Sequence, residues 1–202
     1  MLKLYHSPQS RSVRARWLLE ELGVPYELAT LDLRKGEQKA PAYMKVHPHG
    51  AVPALVDGDL QLFESAAICA YLADNFPEKR LAPPLGTAAR GLYYQWMVYA
   101  IATVEPPVID VFMHTAMLPE TERKPAVIQA ARKKFADVAT VLEQALGTRP
   151  FLLGDQFTAA DVMIGSTLGW AQMLGLLEGR KTLQQYVQRL SERPALQKAQ
   201  GD

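Results

Sequence analysis

Residues 46–72 read VHPHGAVPALVDGDLQLFESAAICAYL, and the rest of the chain can be arranged around this stretch. Val52-Pro53 precedes a short apolar run, Ala54-Leu55-Val56, and a turn at Asp57-Gly58 leads into a second alternating run, Leu60-Gln61-Leu62-Phe63. A DG dipeptide between two such runs signals a hairpin, because glycine accepts positive φ without steric cost. Glu64-Ser65 then opens an apolar-periodic segment, with Ser65 the expected N-cap of a helix. Two features here suit a ligand. A proline at the head of a strand is expected to be cis, leaving the amide and carbonyl of Val52 unpaired and turned outwards. The free amides at the start of the following helix, with the Ser65 hydroxyl, form a small carboxylate site. Glu64 beside them suits a cationic amine. A ligand with an extended peptide backbone and an α-amino acid head matches all three. An ordinary hairpin with a capped helix is the plain alternative.

Upstream, Leu2–Tyr5 reads as a short buried strand, followed by the loop His6-Ser7-Pro8-Gln9-Ser10. From Arg11 to Leu22, Val13, Trp17, Leu18 and Leu22 recur at helical spacing, and Gly23 closes the helix. Arg14 and Arg16 within it are expected on a solvated face. Tyr26–Leu31 is a second strand, and Lys35–Met44 is polar with a weak helical pattern. With the hairpin and a helix from Ala66 to Phe76, residues 1–77 make a βαβ crossover joined to a hairpin and a final helix. That is an α/β thioredoxin-like N-terminal domain on a four-stranded mixed sheet.

Pro77 ends this unit, and EKRLAPPLGT (78–87) reads as a linker. Residues 88–202 show no strand pattern and are expected to form an all-α helical C-terminal domain. Ala88–Val104 is helical until Pro106-Pro107 bends or breaks it, and a further turn or two follows over Val108–Met117. Glu120–Leu146 is amphipathic, with Val127, Ala131, Phe135, Val138, Leu142 and Leu146 on one face. Phe157–Leu174 is apolar nearly all round and hence central, with Thr158 and Asp161 as a capping pair. Leu183–Leu190 and a tail after Pro194 finish this domain.

Composition narrows the function. A chain of 202 residues with 49% hydrophobic and 21% charged residues is globular, and a net charge of +1 with scattered Lys and Arg argues against a nucleic-acid surface. The N-terminus lacks the apolar core of a signal peptide, and no apolar run nears membrane-spanning length, so a cytoplasmic, membrane-free protein is expected. Cys69 is the single cysteine, which excludes an internal disulfide and a Cys/His metal cluster. His6 and His114 have no partners at metal spacing, so no metal and no cofactor are expected.

LYHSPQSRSVRARWLLEELGVPYE, HPHGAVPAL, the ES pair before AAICAYLAD, and FTAADV late in the helical half together carry a resemblance. In this order and spacing, the chain resembles the cytosolic glutathione S-transferase family, serine-type and bacterial-like, over essentially its full length. The resemblance implies an N-terminal domain binding glutathione as co-substrate, a helical domain with a pocket for a small hydrophobic electrophile, a homodimer and a role in detoxification. It places Val52, before Pro53, on the cysteinyl backbone of glutathione, Glu64 and Ser65 on the γ-glutamyl head, and Lys39 on the glycyl carboxylate. Thr158 and Asp161 fall on a structural capping box. Ala51 stands where the family often has Gln or Lys, and His47 where Asn is common.

The reaction so implied needs a thiolate, and a thiol of pKa near 8.5 is only a few per cent ionised at pH 7. A hydroxyl donating to the sulfur anion is worth about 1.5–3 kcal/mol, or about one to two pKa units. Amides at the start of the first helix add a favourable field. Tyr5, Ser7, Ser10 and Ser12 are the candidate donors. The resemblance sets Ser10 on the catalytic serine, while Ser12 is equally a helix cap and Tyr5 a core residue. No cysteine occupies this loop, which argues against a disulfide-exchanging oxidoreductase. Tyr99, Thr103, Phe112 and Trp170 are candidates for the second-substrate pocket. The expected activity is conjugation of glutathione to small apolar electrophiles, or peroxide reduction. The alternative is a non-catalytic module holding glutathione or apolar ligands.

Overall fold

Strand β1 (Leu2–His6) sits inside a four-stranded sheet, parallel to β2 (Tyr26–Thr30) on one side and antiparallel to β3 (Ala54–Asp57) on the other. Strand β4 (Leu60–Phe63) closes the order β2-β1-β3-β4. The computed structural model describes residues 1–201. Asp57 pairs with Leu60, so the hairpin loop is Gly58-Asp59 rather than Asp57-Gly58, with Gly58 at φ +59°. Helix α1 (Ser12–Leu22) ends at Gly23 in the left-handed region, whose amide returns to the Leu19 carbonyl. Between β2 and β3, the polar segment forms a 3-10 turn (Glu37–Lys39) and the short helix α2 (Pro41–Met44). Helix α3 (Ser65–Asn75) packs against α1. Leu4, Leu55, Trp17, Leu18, Leu22, Ile68 and Leu72 are buried among these elements, each aliphatic side chain contributing about 1.5–3 kcal/mol by leaving water.

Two arginines of α1 depart from the sequence expectation. Arg14 is 1% exposed and Arg16 8%, not solvated. For Arg14 the reason is helical phase: it lies one and two i+4 steps before Leu18 and Leu22, both fully buried.

The chain forms two compact units, Met1–Ala82 with residues 192–201, and Pro83–Ser191. The tail read as the end of the helical domain therefore packs with the first unit. Its helix α9 (Pro194–Gln200) lies on α1 and buries Leu196 and Ala199. Arg193 donates through Nε and Nη2 to the two Glu21 carboxylate oxygens at 2.6 and 2.7 Å, and Lys198 Nζ lies 2.7 Å from Glu20.

In the second unit, α4 (Ala88–Tyr99) and α5 (Glu105–Phe112) belong to one helix spanning Ala88–Met117. Pro106 and Pro107 do not break it. A π-helical turn over Ala100–Val104 precedes them and places the prolines in the opening turn of α5, where a missing N–H is least costly. A second π turn covers Met113–Met117. At 30 residues this helix is, by length and composition, able to cross a membrane, contrary to the sequence expectation. Here it serves as a core helix: Tyr93, Met97, Val104, Val108 and Val111 are buried, and α4 and α5 pack on α7 (Ala159–Met173). The helix also buries Arg90 and Glu105. Helices α6 (Pro125–Leu146) and α8 (Lys181–Ser191) complete the unit. Thr158 and Asp161 form a capping box, and Asp161 also accepts from the Leu152 amide at 2.9 Å and the Tyr186 hydroxyl at 2.8 Å. The role of Asp161 is structural.

Candidate active site

Sheet register assembles the site. Tyr5 pairs with Ala54, and Ala54 with Phe63, so these three residues mark one end of the sheet. Three connections meet that end: the loop leaving β1 (residues 7–11), the Val52-Pro53 entry to β3, and the Glu64-Ser65 exit from β4. Serines and main-chain groups far apart in sequence are thereby gathered.

The Val52-Pro53 bond is cis, as the sequence predicts, and Val52 lies just outside the ladder that begins at Ala54. Tyr43, buried in α2, donates its hydroxyl to the Ala51 carbonyl and so fixes the approach to this bond. Burial pushes the Tyr43 phenol well above its usual range, which keeps it a donor. Lys39, exposed, donates through Nζ to the His49 carbonyl at 2.7 Å. Gly50 makes that closeness achievable: a Cβ there would stand 2.5 Å from the Gln38 carbonyl oxygen and 2.9 Å from the Lys39 side chain.

Glu64, not Ser65, occupies the cap position of α3, and it does so at φ +71°, ψ +113°. An L residue rarely adopts this conformation, and holding it costs about 1–3 kcal/mol. Ser65 is instead the first helical residue and makes no side-chain cap. Its hydroxyl accepts from Arg14 Nη1 at 3.3 Å. A buried guanidinium thus stands behind the first amides of α3, adding positive charge where the helix dipole already favours an anion. The sequence reading missed Arg14 because a charged residue counts as surface; its shared face with Leu18 and Leu22 was the available signal.

The loop serines differ sharply. Ser12 is fully buried and caps no helix amide. Its Oγ accepts from the Ser7 amide at 3.0 Å and lies 2.8 Å from His6 Nδ1, 3.0 Å from the Ser7 carbonyl and 2.7 Å from Ser10 Oγ. Ser10 is half-buried, and its hydroxyl is 2.7 Å from the Ser7 carbonyl. Of these two residues Ser10 alone is partly exposed, and its Oγ also accepts from the Ser12 amide at 3.2 Å. Tyr5 packs its ring on Tyr43 at 5.0 Å but is only half-buried, unlike its neighbours Leu4 and His6, so it is not the core residue the sequence suggests. Burial, aided by the nearby Arg16 charge, depresses the His6 imidazole to about 4, so it is neutral at pH 7. Cys69 is fully buried, and burial raises its thiol to about 12. That thiol is not a nucleophile.

In the helical unit, Phe112 stacks on Trp170 with ring centres 6.2 Å apart, and Tyr99 meets Trp96 edge-on at 5.4 Å. Tyr99 and Thr103 are half-buried, Thr103 within the first π turn.

Known proteins resemble this chain in sequence and in fold. Residues 1–74 match the family model "Glutathione S-transferase, N-terminal domain", and residues 125–189 match "Glutathione S-transferase, C-terminal domain". The chain is 32% identical to glutathione S-transferase F9 of Arabidopsis thaliana, over 96% of this chain and 94% of that one. It is 33% identical to glutathione S-transferase GstA of Escherichia coli O157:H7, over 98% and 96%. Among solved structures, glutathione transferase URE2P6 of Phanerochaete chrysosporium, in complex with oxidized glutathione, superposes with a TM-score of 0.87 at 31% identity, over 98% of this chain and 94% of that one.

Proposed function

Because the chain belongs to the glutathione S-transferase family, we propose that it is a glutathione transferase in which Ser10 holds the glutathione sulfur as a thiolate for attack on small apolar electrophiles. The observation that carries this reading is the gathering, at one end of the sheet, of the partly exposed Ser10, the Val52 main chain beside a cis proline, and an amide-rich helix start backed by Arg14. The γ-glutamyl carboxylate docks on the first amides of α3 and the Ser65 hydroxyl, its ammonium against Glu64. The cysteinyl backbone pairs with Val52, next to Pro53, and Lys39 leaves the His49 carbonyl to meet the glycyl carboxylate. This docking sets the sulfur beside Ser10. One hydrogen bond to the anion, worth about 1.5–3 kcal/mol, lowers the thiol pKa by about one to two units. The thiolate fraction at pH 7 then rises from a few per cent to tens of per cent.

The electrophile meets apolar surface in the helical unit, with Tyr99, Thr103, Phe112 and Trp170 the candidate lining. Peroxide reduction by the same thiolate is the companion activity. Leu92 and Val98 are 50% and 65% exposed on α4, which supports a homodimer through this helix and α3. A cytoplasmic detoxifying enzyme, with no nucleic-acid or membrane partner, completes the reading. Calorimetry with glutathione on wild type and Ser65→Ala, with turnover on an electrophile panel, tests it. Binding weakened about ten- to a hundredfold, with turnover in the wild type, is expected. Glutathione binding without turnover on any electrophile or peroxide leaves the non-catalytic module instead.

A further inference from the structure

His6 is fully buried, its Nδ1 lies 2.8 Å from Ser12 Oγ, and its Nε2 has no hydrogen-bond partner among the described residues. A neutral imidazole carries one proton, on one nitrogen or the other. A proton on Nε2 would bury an N–H with nothing to receive it, one of the costlier states in a protein interior. A proton on Nδ1 leaves only an unused lone pair and gives the N–H to Ser12.

We propose that His6, protonated at Nδ1, and Ser12 form a two-residue relay that frees the Ser10 hydroxyl to donate outwards, so that both are positioning residues for the thiolate. This rests on Ser10 being the group that meets the sulfur. With Nδ1–H donating, Ser12 Oγ accepts twice, from His6 and from the Ser7 amide, and cannot also accept from Ser10. Its own proton has two destinations, Ser10 Oγ at 2.7 Å or the Ser7 carbonyl at 3.0 Å. In the resting site, Ser10 donates to the Ser7 carbonyl and Ser12 to Ser10. When a thiolate arrives, Ser10 turns to the sulfur and Ser12 swings its proton to the Ser7 carbonyl. No buried acceptor loses its donor in this exchange. With the other tautomer, Ser12 must donate to His6. Turning Ser10 outwards would then strip the Ser7 carbonyl of its donor, and the thiolate contact would carry that cost.

Two measurements decide the matter. Long-range proton–nitrogen correlation spectra of the ligand-free protein at pH 7, with His6 assigned by its loss in His6→Asn, should show a protonated Nδ1 and a bare Nε2. A protonated Nε2 overturns the relay, and no ligand is needed to see it. The thiolate absorbance of the glutathione complex, titrated with pH, is the second readout. His6→Leu and Ser12→Ala should raise the bound thiol pKa by about half to one unit, less than Ser10→Ala. His6→Asn, whose amide can donate to Ser12, should restore it. If Ser10→Ala raises the pKa while His6→Leu leaves it unchanged, the relay is wrong and Ser10 stands. If Ser10→Ala leaves it unchanged with glutathione bound, the Ser10 assignment fails and the relay with it.

Discussion

Arg14 Nη1 donates to Ser65 Oγ at 3.3 Å, joining the first turn of α1 to the first turn of α3 through a guanidinium that is 1% exposed. Arg14→Lys keeps the charge but loses the planar fork of donors. It should weaken glutathione binding about tenfold by calorimetry while circular dichroism shows an intact fold. Unchanged affinity would remove Arg14 from the anion site.

Ser10→Ala should bind glutathione almost as tightly as wild type, since the hydroxyl meets only the sulfur. At pH 6.5, turnover should fall about ten- to a hundredfold, and the loss should shrink as rising pH ionises the thiol unaided. A pH-independent loss would mean that the hydroxyl does something other than stabilise the anion.

Glu64 at φ +71° offers a test of strain against function. Glu64→Gly should raise unfolding stability by about 1 kcal/mol, because glycine accepts this backbone freely. Glutathione affinity should drop about ten- to a hundredfold with the lost carboxylate–ammonium contact. Denaturant titration and calorimetry on one preparation separate the two, and a variant that binds normally would acquit Glu64 of the ligand role.

His6 predicts an acid limb in stability. Its imidazole is depressed from 6.5 to about 4 in the folded protein, so between those values the unfolded chain binds a proton that the native state refuses. Stability from this group is full above 6.5 and is lost as pH falls towards 4, by about 3 kcal/mol in all. His6→Asn should flatten that part of the profile in denaturant melts at pH 4.5 and 7. An equal slope in the variant would assign the limb to other groups.

The site's frame was legible where local chemistry agrees with tertiary structure. The glycine after Asp57, the two alternating runs and Pro53 announced the hairpin and the cis bond without reference to anything distant. Arg14 was harder to read, since a positive charge on a helix counts as surface even where its spacing from Leu18 and Leu22 points inwards. Pro106-Pro107 misled for a similar reason. A proline pair breaks an α-helix, but an inserted π turn moves the missing donors to where they cost little, and nothing in a residue list announces that insertion. Ser12 read as a cap because it opens a helix; that its hydroxyl instead receives the Ser7 amide depends on how the loop folds back.

The docking of α9 means that the ligand-binding half of the protein is not a contiguous piece of chain. Residues 192–201 complete it, through Leu196, Ala199 and the paired charges on Glu20 and Glu21. During synthesis the first unit therefore waits, its α1 face uncovered, until the whole helical unit has been made. A fragment ending near Ala82 carries every residue assigned to glutathione yet lacks the helix that closes its own core.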